Sequence, residues 1–232
     1  MHLLRALLIA SPLLTACVDS AAPTNDFTCL GHQPATAVAP ASARGLVLDE
    51  IGGAAIANAG VEIHAMSDDA LLGNAETGST GSYAIALAAV PPIYRRVTAD
   101  GFVDSFAYDP APLTGSEVQA MLTRAETEQL YATVGLVPDP ARGTLLVTVV
   151  DCNGETVRGA TVTAPSAQRI VYLGDDTHFD PAATATSDDS TALVLGVPAG
   201  PVELEVKVGD LTYPAWPIAS HAGALVTMWA RP

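Results

Sequence analysis

At 232 residues the chain is long enough for one large domain or two small ones. Apolar residues make up 49% but aromatics only 5%, and Ala, Val, Thr, Gly and Pro dominate, which suits short β-branched strands joined by tight turns. With 25 acidic against 10 basic residues and no Lys/Arg cluster, a phosphate-tracking surface is excluded and no nucleic-acid partner is expected; the dispersed acidity serves solubility.

Met1 to Arg5 forms a short n-region with one firm positive charge, and Ala6 to Leu14 an apolar h-region interrupted by Pro12. A bilayer span needs about 20 apolar residues, so residues 1–16 read as a cleavable export signal. Leu14-Thr15-Ala16-Cys17 resembles the bacterial lipobox, in which a small residue precedes an obligatory cysteine. The resemblance implies cleavage before Cys17 and a diacylglyceryl group on its thiol; the alternative is an ordinary signal with Cys17 incidental. The expected address is therefore the bacterial cell envelope, with the membrane held through a lipid anchor. The outer membrane is favoured, and the side it faces is left open. Residues 17–42, rich in Ala, Thr and Pro, read as an extended tether. They contain Cys29. In an oxidising compartment Cys29 is expected to pair with Cys152; two free thiols or a link to another chain are the alternatives.

The body then repeats itself, over 43–122 and 143–232. Gly45 to Asp49 leads through Gly52-Gly53 to Ile56-Ala57-Asn58-Ala59-Gly60-Val61, as Leu146 to Asp151 leads through Asn153-Gly154 to Val157-Arg158-Gly159-Ala160-Thr161-Val162. Each is strand, Asp-headed turn and strand, and Asn-Gly tolerates the positive φ of a tight turn. Thr77-Gly78-Ser79-Thr80-Gly81-Ser82-Tyr83 answers Thr186 to Ala192, and a Pro-containing turn follows each, at Pro91-Pro92 and Pro198 to Pro201. Strands are expected next, around Arg95 to Ala99 and over Val202 to Val208, the latter alternating Val/Leu with Glu/Lys. These motifs resemble the carboxypeptidase regulatory-like domain, and the layout is similar to that of myxobacterial-type two-domain lipoproteins. Asn58 departs from the motif glycine, and the second copy lacks the tyrosine. The resemblance implies an all-β fold of two tandem transthyretin-like β-sandwiches.

Thr114 to Ala125 fits either a helix or a strand. The second copy ends in Ala222 to Trp229, which reads as a closing strand, so Glu117 to Leu122 is assigned as its equivalent. A short helix is then expected after Thr123, with Glu126 completing a capping box, Leu130, Tyr131 and Val134 on its apolar face, and Gly135 ending it. Residues 123–142 thus form a helical connector.

Chemistry-bearing residues are scattered. Asp175-Asp176-Thr177-His178-Phe179-Asp180 gathers three carboxylates and an imidazole, making Asp176, His178 and Asp180 weak metal candidates, without the order of an EF-hand loop. No serine lies in a G-x-S-x-G elbow, and Gly78 to Ser82 lacks the Lys of a phosphate loop. In Tyr213-Pro214-Ala215-Trp216-Pro217, the Tyr213 and Trp216 rings are candidate contacts for a sugar or a partner's apolar side chain. The expected function is a non-catalytic protein-interaction or scaffold module, with another envelope protein or a glycan as partner. No cofactor and no catalytic residues are expected. Carbohydrate or peptidoglycan binding is the first alternative and a metal-dependent hydrolase the second.

Overall fold

The structure, a computed structural model, describes residues 25–32, 41–88, 91–109, 116–175 and 178–232. The first repeat contributes β1 (Ala41–Asp49), β2 (Gly60–Ala65), β3 (Leu71–Glu76), β4 (Ser82–Leu87), β5 (Ile93–Thr98), β6 (Ser105–Asp109) and β7 (Ser116–Met121). Helix α1 (Arg124–Thr133) follows. The second repeat contributes β8 (Arg142–Val149), β9 (Ala160–Thr163), β10 (Arg169–Leu173), β11 (Phe179–Asp180), β12 (Thr191–Pro198) and β13 (Gly200–Pro201). It continues with β14 (Glu205–Val208), β15 (Leu211–Thr212), β16 (Ala219–Ser220) and β17 (Leu225–Ala230). The fold is all-β apart from the one short helix, and each repeat is a sandwich.

The two repeats are built alike. In each, the opening strand pairs antiparallel with a strand from mid-repeat (β1 with β4, β8 with β12) and parallel with the closing strand (β1 with β7, β8 with β17). Both Asp-headed turns are stapled by their first residue: Asp49 Oδ1 accepts from the N–H groups of Ile51 and Gly52, and Asp151 Oδ1 from those of Asn153 and Glu155. A buried threonine locks each turn to the sheet. Thr77 Oγ1 accepts from Ala59 N–H at 2.9 Å and donates to Ile56 O at 2.7 Å; Thr186 Oγ1 does the same to Ala160 and Val157 at the same distances. Between these contacts lies the motif glycine, Gly159, at φ +80°, and its counterpart Asn58 holds φ +57°. Asn tolerates the left-handed region better than most residues, so the departure from glycine keeps the backbone.

The strand assignment at the end of the first repeat holds: β7 takes the place of a helix, and α1 begins one turn later. Thr123 Oγ1 accepts from Glu126 N–H while the Glu126 carboxylate accepts from Thr123 N–H, closing the capping box. Gly135, at φ +72°, follows the helix end. Tyr131 is buried; its hydroxyl accepts from Gly196 N–H and pairs with Thr144 Oγ1. Leu130, Val134 and Leu136 pack with it over Val171, Leu193 and Leu195, so the helix covers the outer face of the second repeat's sheet.

The expected strand over Val202 to Val208 is corrected to two pieces. Gly200–Pro201 pairs with Ala219–Ser220, and Val202 N–H donates to Ile218 O, so the chain rejoins a sheet only at Glu205. Proline 201 has no N–H to continue a ladder.

The halves meet in one sheet. Strand β17 pairs parallel with β6, Leu225 opposite Ser105 through Met228 opposite Tyr108, joining the second repeat's β11-β10-β12-β8-β17 to the first repeat's β6-β5-β2-β3 in nine strands. Cross-strand rows therefore run through both repeats, as in His64-Tyr94-Tyr108-Met228-Val147-Ala192. The outward face of β5 and β6 in the first sandwich becomes part of the second core: Tyr94, Phe106 and Tyr108 pack with Leu145, Val147, Val226 and Met228. The first sandwich keeps its own core of Val47, Val61, Ile63, Tyr83, Ile85 and Val97.

Candidate functional site

Residues 25–32 are fastened to the turn that opens the second repeat. Cys29 and Cys152 form a disulfide with Cα atoms 5.7 Å apart. Around it Asp26 N–H donates to Asp151 Oδ2, Cys152 N–H donates to Asp26 O, and Asn25 Nδ2 donates to Thr156 O. Phe27 lies edge-on to Tyr213 with ring centroids 6.4 Å apart, and Phe27 and Leu30 pack on the second core. Asp151 is the hub, buried with both carboxylate oxygens occupied. Burial pushes its carboxyl up, but the N–H groups of Asp26, Glu155 and Asn153 and the Asn25 amide outweigh that and hold it below the usual carboxylate range. Cys17 lies outside the described residues.

The Tyr213–Trp216 pair divides. Tyr213 faces inward: it is buried, and its hydroxyl donates to Val150 O at 3.1 Å. Burial, with the Asp151 charge second, raises its pKa well above that of an ordinary tyrosine. It belongs to the core and offers no contact surface. Trp216 is half-buried at the rim of the same core, with its Nε1 buried and without an acceptor among the described residues.

Of the acidic loop, Asp176 lies outside the described residues. His178 is exposed, and its carbonyl accepts from Gly174 N–H. Asp180 Oδ1 caps the following turn by accepting from Ala182 N–H, and Asp175 pairs with Arg158, which also holds Asp188. Among the described residues no three His, Cys, Asp or Glu side chains are placed to hold one metal ion.

Two features escaped the sequence reading. One is Trp229 on β17, 47% exposed, with the Arg231 guanidinium 5.8 Å from its ring centroid. The other is an aromatic stack at the joint between the halves. His221 lies flat on Phe106, 3.6 Å between ring centroids, with Nε2 3.1 Å from the Tyr108 hydroxyl; His64 stacks on Tyr94 one row away. Burial lowers the His221 pKa, with Asp69 and Asp104 pulling against it and Arg96 adding to it. Tyr94 donates to Asp69 Oδ1. No periodicity marks such a stack, because its partners are 115 residues apart and belong to different repeats.

No family model matches the chain, and no curated protein matches it. Among solved structures it is similar to the Bacillus anthracis TIE protein, at 12% identity, TM-score 0.29, over 82% of this chain and 33% of that one. It is likewise similar to a streptococcal ancillary pilin (12%, 0.27, 85% and 64%) and to the shaft pilin SpaA from Lactobacillus rhamnosus GG (9%, 0.25, 83% and 98%). The chain thus spans a third of the first of these and under two thirds of the second. Among the described residues no helix is long and apolar enough to cross a membrane.

Proposed function

We propose that the chain is a lipid-anchored protein of the bacterial envelope, attached at Cys17, whose two carboxypeptidase regulatory-like sandwiches serve as a non-catalytic protein-interaction scaffold. The docked segment at residues 25–32 carries this reading. A stretch that begins eight residues after the lipobox cysteine is bonded to the body through a disulfide, which belongs to an exported chain. The nine-stranded sheet supports the scaffold role, because it fixes the two sandwiches in one orientation and presents a continuous surface. The layout resembles that of myxobacterial-type lipoproteins, with the outer membrane as the expected anchor site. Labelling of cells with a clickable palmitate analogue tests the anchor: label incorporated by the parent and lost in Cys17→Ser supports it, and label retained refutes it. Crosslinking in intact cells with mass spectrometry tests the scaffold role, for which a reproducible envelope-protein partner is the expected result.

A second reading, glycan or peptidoglycan binding, draws its support from Trp229. That ring is exposed and braced by Arg231, whereas Tyr213 is buried and Trp216 half-buried. Quenching of tryptophan fluorescence by peptidoglycan fragments, lost in Trp229→Ala and kept in Trp216→Phe, distinguishes it from the first.

A further inference from the structure

The repeat offers an internal comparison. At one end of the second sandwich, the turn Asp151–Glu155, the arm that follows it and the Tyr213 segment after the β14–β15 hairpin hold residues 25–30, a short irregular stretch at Asn25–Phe27 that runs into a turn at residues 28–31. The first sandwich has a comparable Asp-headed turn, one residue longer, at Asp49–Ala54, the corresponding arm at Ala55–Asn58, and a longer hairpin loop at Thr98–Asp104 where the second has the Gly209-Asp210 turn. Between arm and hairpin lies a cleft of about 830 Å³, and no described segment fills it.

The docking groups match in part. Asp151 Oδ2 receives Asp26 N–H, and the corresponding Asp49 Oδ2 has no donor among the described residues. Thr156 O receives the Asn25 amide, and its counterpart is Ala55 on the cleft wall. One contact has been taken over: Cys152 N–H donates to Asp26 O, whereas Glu50 N–H donates to Met121 O of the same sandwich. A visitor to the first sandwich must therefore bind on the acceptor side of the turn, in the cleft.

Charge separates the two ends. The motif register equates Arg158 with Ala57, and the strand register equates Lys207 with Thr98, so both bases of the second end are neutral in the first. The cleft is instead bordered by Asp49, Glu76, Asp100 and Asp104, with Arg124 at one edge and Asp104 already paired to Arg96. Its apolar floor includes Ile56 and Phe102. At the second end Arg158 is paired with Asp175 and Asp188, Lys207 with Glu205, and the Asp26 carboxylate accepts from Thr28 N–H, so residues 25–27 are held there by hydrogen bonds, whereas the acidic border of the first cleft favours a visitor that carries bases.

We propose that the cleft between the Asp49 turn and the Thr98–Asp104 hairpin is a docking site for an extended peptide segment of a partner protein, carrying an apolar or aromatic residue flanked by Lys or Arg. This rests on the interaction-module reading and names its surface. The segment donates a backbone N–H to Asp49 Oδ2, lays its apolar side chain on Ile56 and Phe102, and sets its bases against Glu76 and Asp100.

The test pans a phage-displayed random nonapeptide library on the full disulfide-bonded chain, then measures fluorescence anisotropy of the enriched peptides against variants. Ala57→Arg with Thr98→Lys installs the second sandwich's own residues at exposed or half-buried positions, so the fold is retained, which circular dichroism verifies. Enrichment of basic peptides with an apolar centre, binding at least tenfold weaker in the double variant and weaker as salt rises, is the expected result. Enriched peptides whose binding ignores the double variant, enrichment of acidic peptides, or no enrichment each overturns the proposal. So does self-association by sedimentation that the double variant abolishes, since a second copy would then be the occupant. If crosslinking in cells still recovers an envelope partner, the failure lies with the cleft and not with the scaffold reading.

Discussion

Replacing Cys29 and Cys152 by serine removes a crosslink between residues 123 positions apart while leaving both side chains nearly isosteric. In the chain-entropy account, closing a loop of that length in the unfolded chain contributes about 4.9 kcal/mol at 25 °C. The docking of residues 25–32 adds to the loss, since the bonds from Asn25, Asp26 and Cys152 and the packing of Phe27 and Leu30 hold only while the segment stays seated. For a chain of this size an m-value of about 3 kcal/mol/M in urea converts the entropic part into a midpoint lower by about 1.6 M. The assay is urea unfolding followed by tryptophan fluorescence, which reads the second sandwich because Trp216 and Trp229 both lie there. The parent chain treated with a reductant serves as the control. The double variant and the reduced parent should agree. A fall below about 0.5 M in both would refute the reasoning, and would mean that the unfolded chain is held together by something other than the crosslink.

Other perturbations read other parts of the fold. The folded-state pKa of Asp151 is depressed, so its stabilisation is complete above the unfolded value near 3.8 and is lost as pH falls through the folded value; hydrogen exchange of residues 25–32 should therefore accelerate selectively in acid, and Asp151→Asn should remove most of that dependence. His221 is also depressed, so its contribution is present above about 6.5 and is lost as pH falls through the folded value. The urea midpoint should drop between pH 7.5 and 5.5, and by less in His221→Phe. Thr77→Val and Thr186→Val each strand a buried N–H and a carbonyl, and should each cost about 1–3 kcal/mol by denaturant unfolding, adding in the double variant because the sites share no partner. Gly159→Val forces a β-branched residue to φ +80° and should cost about 1–2 kcal/mol, whereas Asn58→Gly should change stability by far less.

What the sequence disclosed follows the range of the forces involved. The Asp-headed turns, the Thr123–Glu126 capping box and the strand character of residues 116–121 are set by neighbours within a few residues or by comparison of one repeat with the other, and both signals are printed in the chain. The pairing of Cys29 with Cys152 was legible because two cysteines leave few choices. The β17–β6 joint was not, because a parallel edge pairing uses backbone groups that every residue possesses, and Phe106 and Tyr108 look the same on paper whether they face water or a second core. The inward turn of Tyr213 was hidden for a related reason. From Tyr213 to Pro217 the chain has no period, so the direction of the Tyr213 ring is revealed by its burial and by the Val150 carbonyl that receives its hydroxyl.

The crosslink between Cys29 and Cys152 also sets a path for mechanical load. In a chain held at Cys17, tension applied to the second sandwich crosses the sulfur–sulfur bond directly to the anchor and bypasses the whole first sandwich, although that sandwich comes earlier in the chain. Seven residues separate Cys17 from Asn25, a reach of about 29 Å over eight Cα steps when fully extended, so a lipid anchor at Cys17, as proposed, would keep the second sandwich beside the bilayer. The first sandwich projects from it along the nine-stranded sheet. A pull on the first sandwich is shared between the chain that leads from Cys29 into β1 and the β17–β6 pairing, whose hydrogen bonds are loaded together if the force runs along the strands and one after another if it runs across them.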